Sequence, residues 1–156
     1  PQWFEVRREN DLIALIQRVA HARVDVDQRC TGAIERGVLA LIGVQPGDGE
    51  PQRRRMLELL LGYRIFEDEG GRMNRSLSEI QGGLLLVPQF TLAADTRSGL
   101  RPSFSTAAPP TLGREQFNLL LQEAKTRHST VESGEFGAHM RVALLNDGPV
   151  TFWLQS

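Results

Sequence analysis

Stretches of alternating and of unbroken apolar residues divide the chain into strands and helices. Leu12–Val19 and Arg23–Val26 are predicted as two strands, the second placing Val24 and Val26 on one face. Gly37–Val44 is a continuous apolar run between glycines, as suits a strand covered on both faces, and Gly47-Asp48-Gly49 ends it. The period then changes. Over residues 51–61, Met56, Leu57, Leu60 and Leu61 share one helical face, while Arg53, Arg54 and Arg55 fall largely elsewhere, on a face expected to meet solvent rather than phosphate. Arg64-Ile65-Phe66 is predicted as a short strand, followed by a turn at Glu69-Gly70-Gly71. Gly83–Val87 is a second buried strand running into Pro88-Gln89-Phe90-Thr91. Residues 95–111 are rich in Ser, Thr, Pro and Gly and form a loop long enough to be functional or mobile. Thr111 is the expected N-cap of a helix to about Arg127, with Phe117, Leu120, Leu121 and Ala124 on one face. His139–Leu145 and Val150–Leu154 close the chain as strands, and Asn146-Asp147-Gly148-Pro149 between them reads as a hairpin turn. The sum is one mixed α+β domain, mostly β, with two principal helices.

Composition narrows this picture. A chain of 156 residues, 40% hydrophobic and 24% charged, is the size and make-up of one globular domain. Its net charge of −1 argues against a broad basic face for coating nucleic acid, but leaves room for reading a short RNA end. Cys30 is the only cysteine, so neither an intrachain disulfide nor a cysteine zinc cluster is expected, and a reducing, cytoplasmic setting fits. The sequence has no run of 18 apolar residues and its start lacks a signal-peptide layout, so no membrane association is expected. Residues 1–11 are polar, aperiodic and without an initiator Met. They are taken as an N-terminal extension or an expression remnant, and residues 12–156 as the domain.

Familiar constellations do not occur. His21, His128 and His139 lack metal-ligand spacing and each is expected on the surface or in a loop. There is no GxSxG elbow and no phosphate-binding glycine loop, and neither metal nor cofactor is expected. Glu67, Asp68 and Glu69 fall in a turn, facing solvent. What remains is two polar segments, each at the C-terminal end of an apolar strand: Pro88–Thr91 and Asn146–Thr151. Such ends can present backbone N–H and C=O groups to a ligand.

Gln89-Phe90-Thr91-Leu92-Ala93-Ala94-Asp95-Thr96 and Asn146-Asp147-Gly148-Pro149-Val150-Thr151 resemble the two signature segments of the D-aminoacyl-tRNA (D-tyrosyl-tRNA) deacylases, written SQxxT and NxGPxT. Supporting stretches stand in the same order: Ala14–Val19, Leu61–Phe66, Arg101-Pro102-Ser103-Phe104, and Phe136-Gly137 with Met140. The likeness spans roughly residues 12–155. One position departs from it. Pro88 stands where the signature has Ser, removing a hydroxyl and a backbone donor.

The resemblance implies a deacylase-like fold with a barrel-like core, and hydrolysis of the ester joining a D-amino acid, or glycine, to the 3′-terminal adenosine of tRNA. It implies an obligate homodimer with the site at the subunit interface. Gly148-Pro149 is then a cis peptide that reads chirality, with Asn146, Val150 and Thr151 around it. Gln89, Phe90 and Thr91 form the catalytic segment: the amides near Phe90 and Thr91 make an oxyanion hole, and Thr91 orients substrate while the RNA's own 2′-OH assists. Phe136 and Met140 hold the terminal adenine, and Arg18 steadies the terminal ribose-phosphate or the dimer seam. Two alternatives stand beside this: a nucleic-acid-binding relative without catalysis, and an animal-type variant with a trans bond acting on L-alanyl-tRNA(Thr).

Overall fold

The computed structural model describes residues 11–156. The expected N-terminal extension, apart from Asp11, lies outside the described residues. In chain order the elements are β1 (Ile13–Val26), β2 (Arg29–Ile34), β3 (Gly37–Gly43), α1 (Glu50–Gly62), β4 (Phe66–Glu67), β5 (Met73–Arg75), α2 (Leu77–Ile80), β6 (Gly83–Pro88), a 3-10 turn (Phe90–Ala93), α3 (Pro110–Arg127), β7 (Val131–Ser133) and β8 (Arg141–Gln155).

The architecture is α+β, and its centre is β1. Residues 12–19 and 23–26 are not two strands but parts of one: no Gly or Pro separates them, and a one-residue bulge at Ala20 turns the chain without ending it. One edge of β1 pairs with β8 along nearly its whole length, while the other pairs antiparallel with β3 from Ile13 to Val19 and with β2 from Ala22 to Val26. Beyond β3 the order continues to β6 and β7, both joined in parallel. The far edges then approach: a Cβ on Gly32 of β2 would lie 2.7 Å from the Ser133 carbonyl oxygen of β7. The result is a nearly closed, barrel-like sheet.

Alternation along β3 and β6 explains why both read as continuous apolar runs. Val38, Ala40 and Ile42, with Leu84 and Leu86, pack outward against α1 and α3, while Leu39, Leu85 and Val87 point into the barrel with Val19, Val24 and Ile34. Met56, Leu57, Leu60 and Leu61 of α1, and Phe117, Leu120 and Ala124 of α3, supply the outer layer. Fully burying a side chain such as Phe117 contributes roughly 2–3 kcal/mol.

Three further expectations are corrected. The solvated arginine face holds for Arg54 and Arg55, which pair with Glu50 and Glu58 at the surface. Arg53 is instead buried between the helices, its Nε 3.0 Å from the Glu123 carboxylate and its Nη1 donating to Gln116. Helix α3 starts at Pro110, with Pro109 rather than Thr111 in the cap position, because proline's fixed φ suits a first helical turn. His128 stands, as expected, in the loop that follows α3. It is buried, with Nε2 2.5 Å from the Gly82 carbonyl oxygen. Finally, Asn146–Pro149 is no hairpin turn, since β8 runs through it without a break.

Candidate active site

Opposite Arg18, strand β8 carries more residues than β1 can pair. Gln17 faces Thr151 and Val19 faces Asn146, so Asp147, Gly148, Pro149 and Val150 bulge outward against a single β1 residue. Asn146 ties the ends of this bulge: its side-chain oxygen accepts from the Val150 N–H at 3.2 Å and its Nδ2 donates to Thr151 Oγ1 at 3.0 Å. Arg18 braces it from below. Only 8% exposed, its guanidinium donates from Nε to the Asp147 carbonyl (3.0 Å) and from Nη1 to the Ile65 carbonyl (2.9 Å), with the Asp147 carboxylate 3.6 Å away. A buried guanidinium serving two carbonyls is a rigid support.

At the tip, Gly148 and Pro149 are exposed and the peptide between them is cis. Gly148 has φ +136, a region that disfavours side chains, and a Cβ there would lie 2.7 Å from Val150 Cγ2. Glycine is therefore required by backbone conformation and by space alike.

The second polar segment caps β6. Pro88 is tolerated for a reason visible in the ladder. Gly83 and Gln89 donate toward the β3 side, to Arg36 and Ile42, whereas Leu84 donates to Thr130 on the β7 side. Alternation turns position 88 toward β7, which has ended at Ser133, so the missing donor costs no ladder bond. The chain then winds into the 3-10 turn, where the Leu92 N–H donates to Gln89 and that of Ala94 to Thr91. The amides of Phe90 and Thr91 open the turn, the position where helical N–H groups have no internal partner. The Gln89 side-chain amide donates to Thr91 Oγ1.

Beside this turn lies a pocket of about 530 Å³. Pro88, Gln89 and Phe90 form one wall, Phe104 and residues 107–110 another, and Phe136 with Gly113 a third. The long loop 95–109 is thus a wall rather than a tether. Asp95 and Ser103 exchange backbone hydrogen bonds across it, Thr106 Oγ1 donates to the Ala93 carbonyl, and the Ala108 N–H donates to Val44. Phe90 and Phe104, both exposed, meet at 5.3 Å between ring centroids.

Among the expected site residues, the pocket gathers Gln89, Phe90 and Phe136, with Thr91 next in the turn. Arg18, Asn146, Gly148, Pro149, Val150 and Thr151 form a separate group. Met140 lines neither; its sulfur accepts from the Glu135 N–H at 3.4 Å and fills the space above Gly134, bracing the loop that carries Phe136. Along the sheet, Pro88 is level with Ile42 and Ala14, whereas Arg18 is level with Val38 and Leu84. That offset of four positions separates the groups by about 13 Å in one chain. Ala107–Pro110 and Gly113 were not legible as site residues, since nothing local marks them. Among the described residues, no group of three His, Cys, Asp or Glu side chains could hold a metal ion.

Residues 15–155 match the profile of a family described as D-Tyr-tRNA(Tyr) deacylase. A D-aminoacyl-tRNA deacylase of Thioalkalivibrio sulfidiphilus is 63% identical over 92% of this chain and 97% of its own length. One from Xanthomonas campestris is 61% identical over 92% and 99%. Among solved structures, a c-Myc DNA Unwinding Element Binding Protein is 35% identical, with a TM-score of 0.88 over 92% of this chain and 98% of that one. A probable eukaryotic D-amino acid tRNA deacylase, 19% identical, shares the fold with a TM-score of 0.74 over 94% and 100%. The chain therefore belongs to the D-Tyr-tRNA(Tyr) deacylase family, and with its bacterial relatives to the hydrolases that deacylate D-aminoacyl-tRNA.

Proposed function

We propose that the protein proofreads chirality, hydrolysing the ester of D-aminoacyl-tRNA while the Gly148-Pro149 segment rejects the L form. The observation that carries this reading is the bulge opposite Arg18, a backbone tip of glycine and proline held from both ends and from below. Carbonyl oxygens presented there accept from the substrate's ammonium group. With ammonium and ester both fixed, a D side chain leaves toward solvent and an L side chain strikes backbone. Specificity then comes from excluding one enantiomer, so many D side chains are accepted, and glycine with them.

The terminal adenine enters the pocket and stacks on Phe136, while Met140 stabilises the loop beneath. The amides of Phe90 and Thr91 receive the negative charge that develops on the ester oxygen. Water adds to the carbonyl carbon, the bond to the ribose 3′-oxygen breaks, and that oxygen leaves with a proton. Thr91, hydrogen-bonded to Gln89 and with no base bonded to it among the described residues, orients the substrate, and the RNA's 2′-OH assists the proton transfer.

Because tip and pocket lie apart in one chain, a second copy supplies the tip. Leu145 and Trp153, both exposed on β8, give an obligate homodimer apolar surface to bury. The enzyme works where tRNA is charged, in the cytoplasm. Incubation with D-Tyr-tRNA and L-Tyr-tRNA tests the reading: release of the D amino acid alone supports it, and equal release of both overturns it. The name of one solved relative favours a second reading, nucleic-acid binding without catalysis. Retained RNA binding with release of neither amino acid is its outcome.

A further inference from the structure

We propose that Arg114 contacts a phosphate of the RNA strand at the mouth of the base pocket; the identity of that strand rests on the deacylase reading. Phe136 is pressed against α3, since a Cβ on Gly113 would lie 3.3 Å from its Cζ atom. The next residue of the helix, Arg114, lays its guanidinium over the Phe136 ring, 5.1 Å from the centroid. Its Nη2 would lie 3.4 Å from a Cβ on Gly137, so the head group rests along the loop at the pocket rim. The side chain is exposed, and the first turn of α3 has no acidic residue.

Arg23, Arg29, Arg54, Arg55 and Arg97 each pair with a carboxylate, whereas Arg114 lies on an aromatic face, as Arg36 does over Phe66; of these two, Arg114 is the one beside the pocket, next to Gly113 and Phe136. Stacking holds a guanidinium in place and leaves its edge N–H groups free to donate, two of them side by side. In an aminoacylated 3′-terminal nucleotide the 3′-oxygen carries the ester, so its nearest negative charge is the 5′-phosphodiester. A base seated against Phe136 leaves that phosphate at the rim where Arg114 waits. The contact carries no sequence information and adds affinity that salt screens.

The bland alternative is that Arg114 only clamps Phe136. Binding of a short single-stranded RNA ending in cytidine-cytidine-adenosine, measured by fluorescence anisotropy across a salt series, separates the two. Arg114→Gln is expected to weaken binding several-fold at low salt and to reduce the slope of log affinity against log salt by about 0.7, while Arg114→Lys keeps the slope. An unchanged slope in Arg114→Gln, or equal loss in Arg114→Lys, overturns the proposal, as does absence of binding by the unmodified protein. Failure of the deacylase reading is read separately, as lack of D-Tyr release by the unmodified protein.

Discussion

Thr91 keeps its hydroxyl against the Gln89 side chain, and among the described residues no histidine or carboxylate is bonded to either. An unactivated hydroxyl is a poor nucleophile, so removing it should cost one orienting hydrogen bond. Thr91→Ala is expected to lower kcat/KM for D-Tyr-tRNA about five- to tenfold, with Thr91→Ser restoring most of it; complete loss with retained RNA binding would assign Thr91 the attack itself. Asn146 acts differently, since its two hydrogen bonds shape the backbone tip. Asn146→Ala should cost roughly 1–2 kcal/mol of stability and erode the preference for D over L. Asn146→Asp still accepts from Val150 and can accept from Thr151, and so should retain both; thermal melts with parallel D- and L-Tyr-tRNA assays check the pair. At this scale much was legible: Asn146, Gly148 and Thr151 stood in one motif. The role of Arg18 was not, because the Asp147 and Ile65 carbonyls it serves lie far away in the chain.

Close packing of two strands makes the elements sensitive at one point above others. A Cβ on Gly37 would sit 1.9 Å from the Gly83 carbonyl oxygen, where β3 and β6 begin their parallel ladder. Gly37→Ala is expected to destabilise the fold by about 3 kcal/mol, since backbone cannot yield as a side chain can. Gly62, the last residue of α1, offers the control. A Cβ there meets nothing within 4 Å, and Gly62→Ala should stabilise by about 0.5–1 kcal/mol. Urea denaturation of both variants settles the contrast. Helix faces and the buried strands β3 and β6 were readable because burial imprints its period on the residues. Strands β2, β5 and β7 were not singled out: they are short and largely exposed, so their existence depends on partners rather than on apolar pattern.

Among the described residues one buried carboxylate carries a charge that opposes folding. Asp48 is 5% exposed, and although the Gln45 N–H donates to one of its oxygens at 2.6 Å, the other has no partner among the described residues. Burial raises its pKa to about 6, with the nearby Asp11 charge pushing the same way. The folded state therefore holds this proton more tightly than the unfolded chain. From the ordinary carboxylate value up to about 6, this group makes stability fall as pH rises; above that window a constant deficit of up to about 3 kcal/mol remains. Asp48→Asn keeps an acceptor for Gln45 and loses the charge. Its melting temperature relative to the parent protein should climb between about pH 4 and pH 7 and then level off; a difference independent of pH would count against the assignment.

Taken by itself, the sequence determined the apolar faces of α1 and α3, the doubly covered strands, and both polar segments that the family signatures mark. Those are local properties, written in residue type and spacing. Only the tertiary structure decided that Asp147–Val150 is a bulge and that Asn146–Pro149 is no turn, because a bulge is defined by the register of the strand opposite. It alone brought Ala107–Pro110 and Gly113 against Phe136 to form the pocket, and set that pocket apart from Gly148-Pro149. Register and close approach between distant segments are properties of the packed chain, and no window of sequence contains both partners.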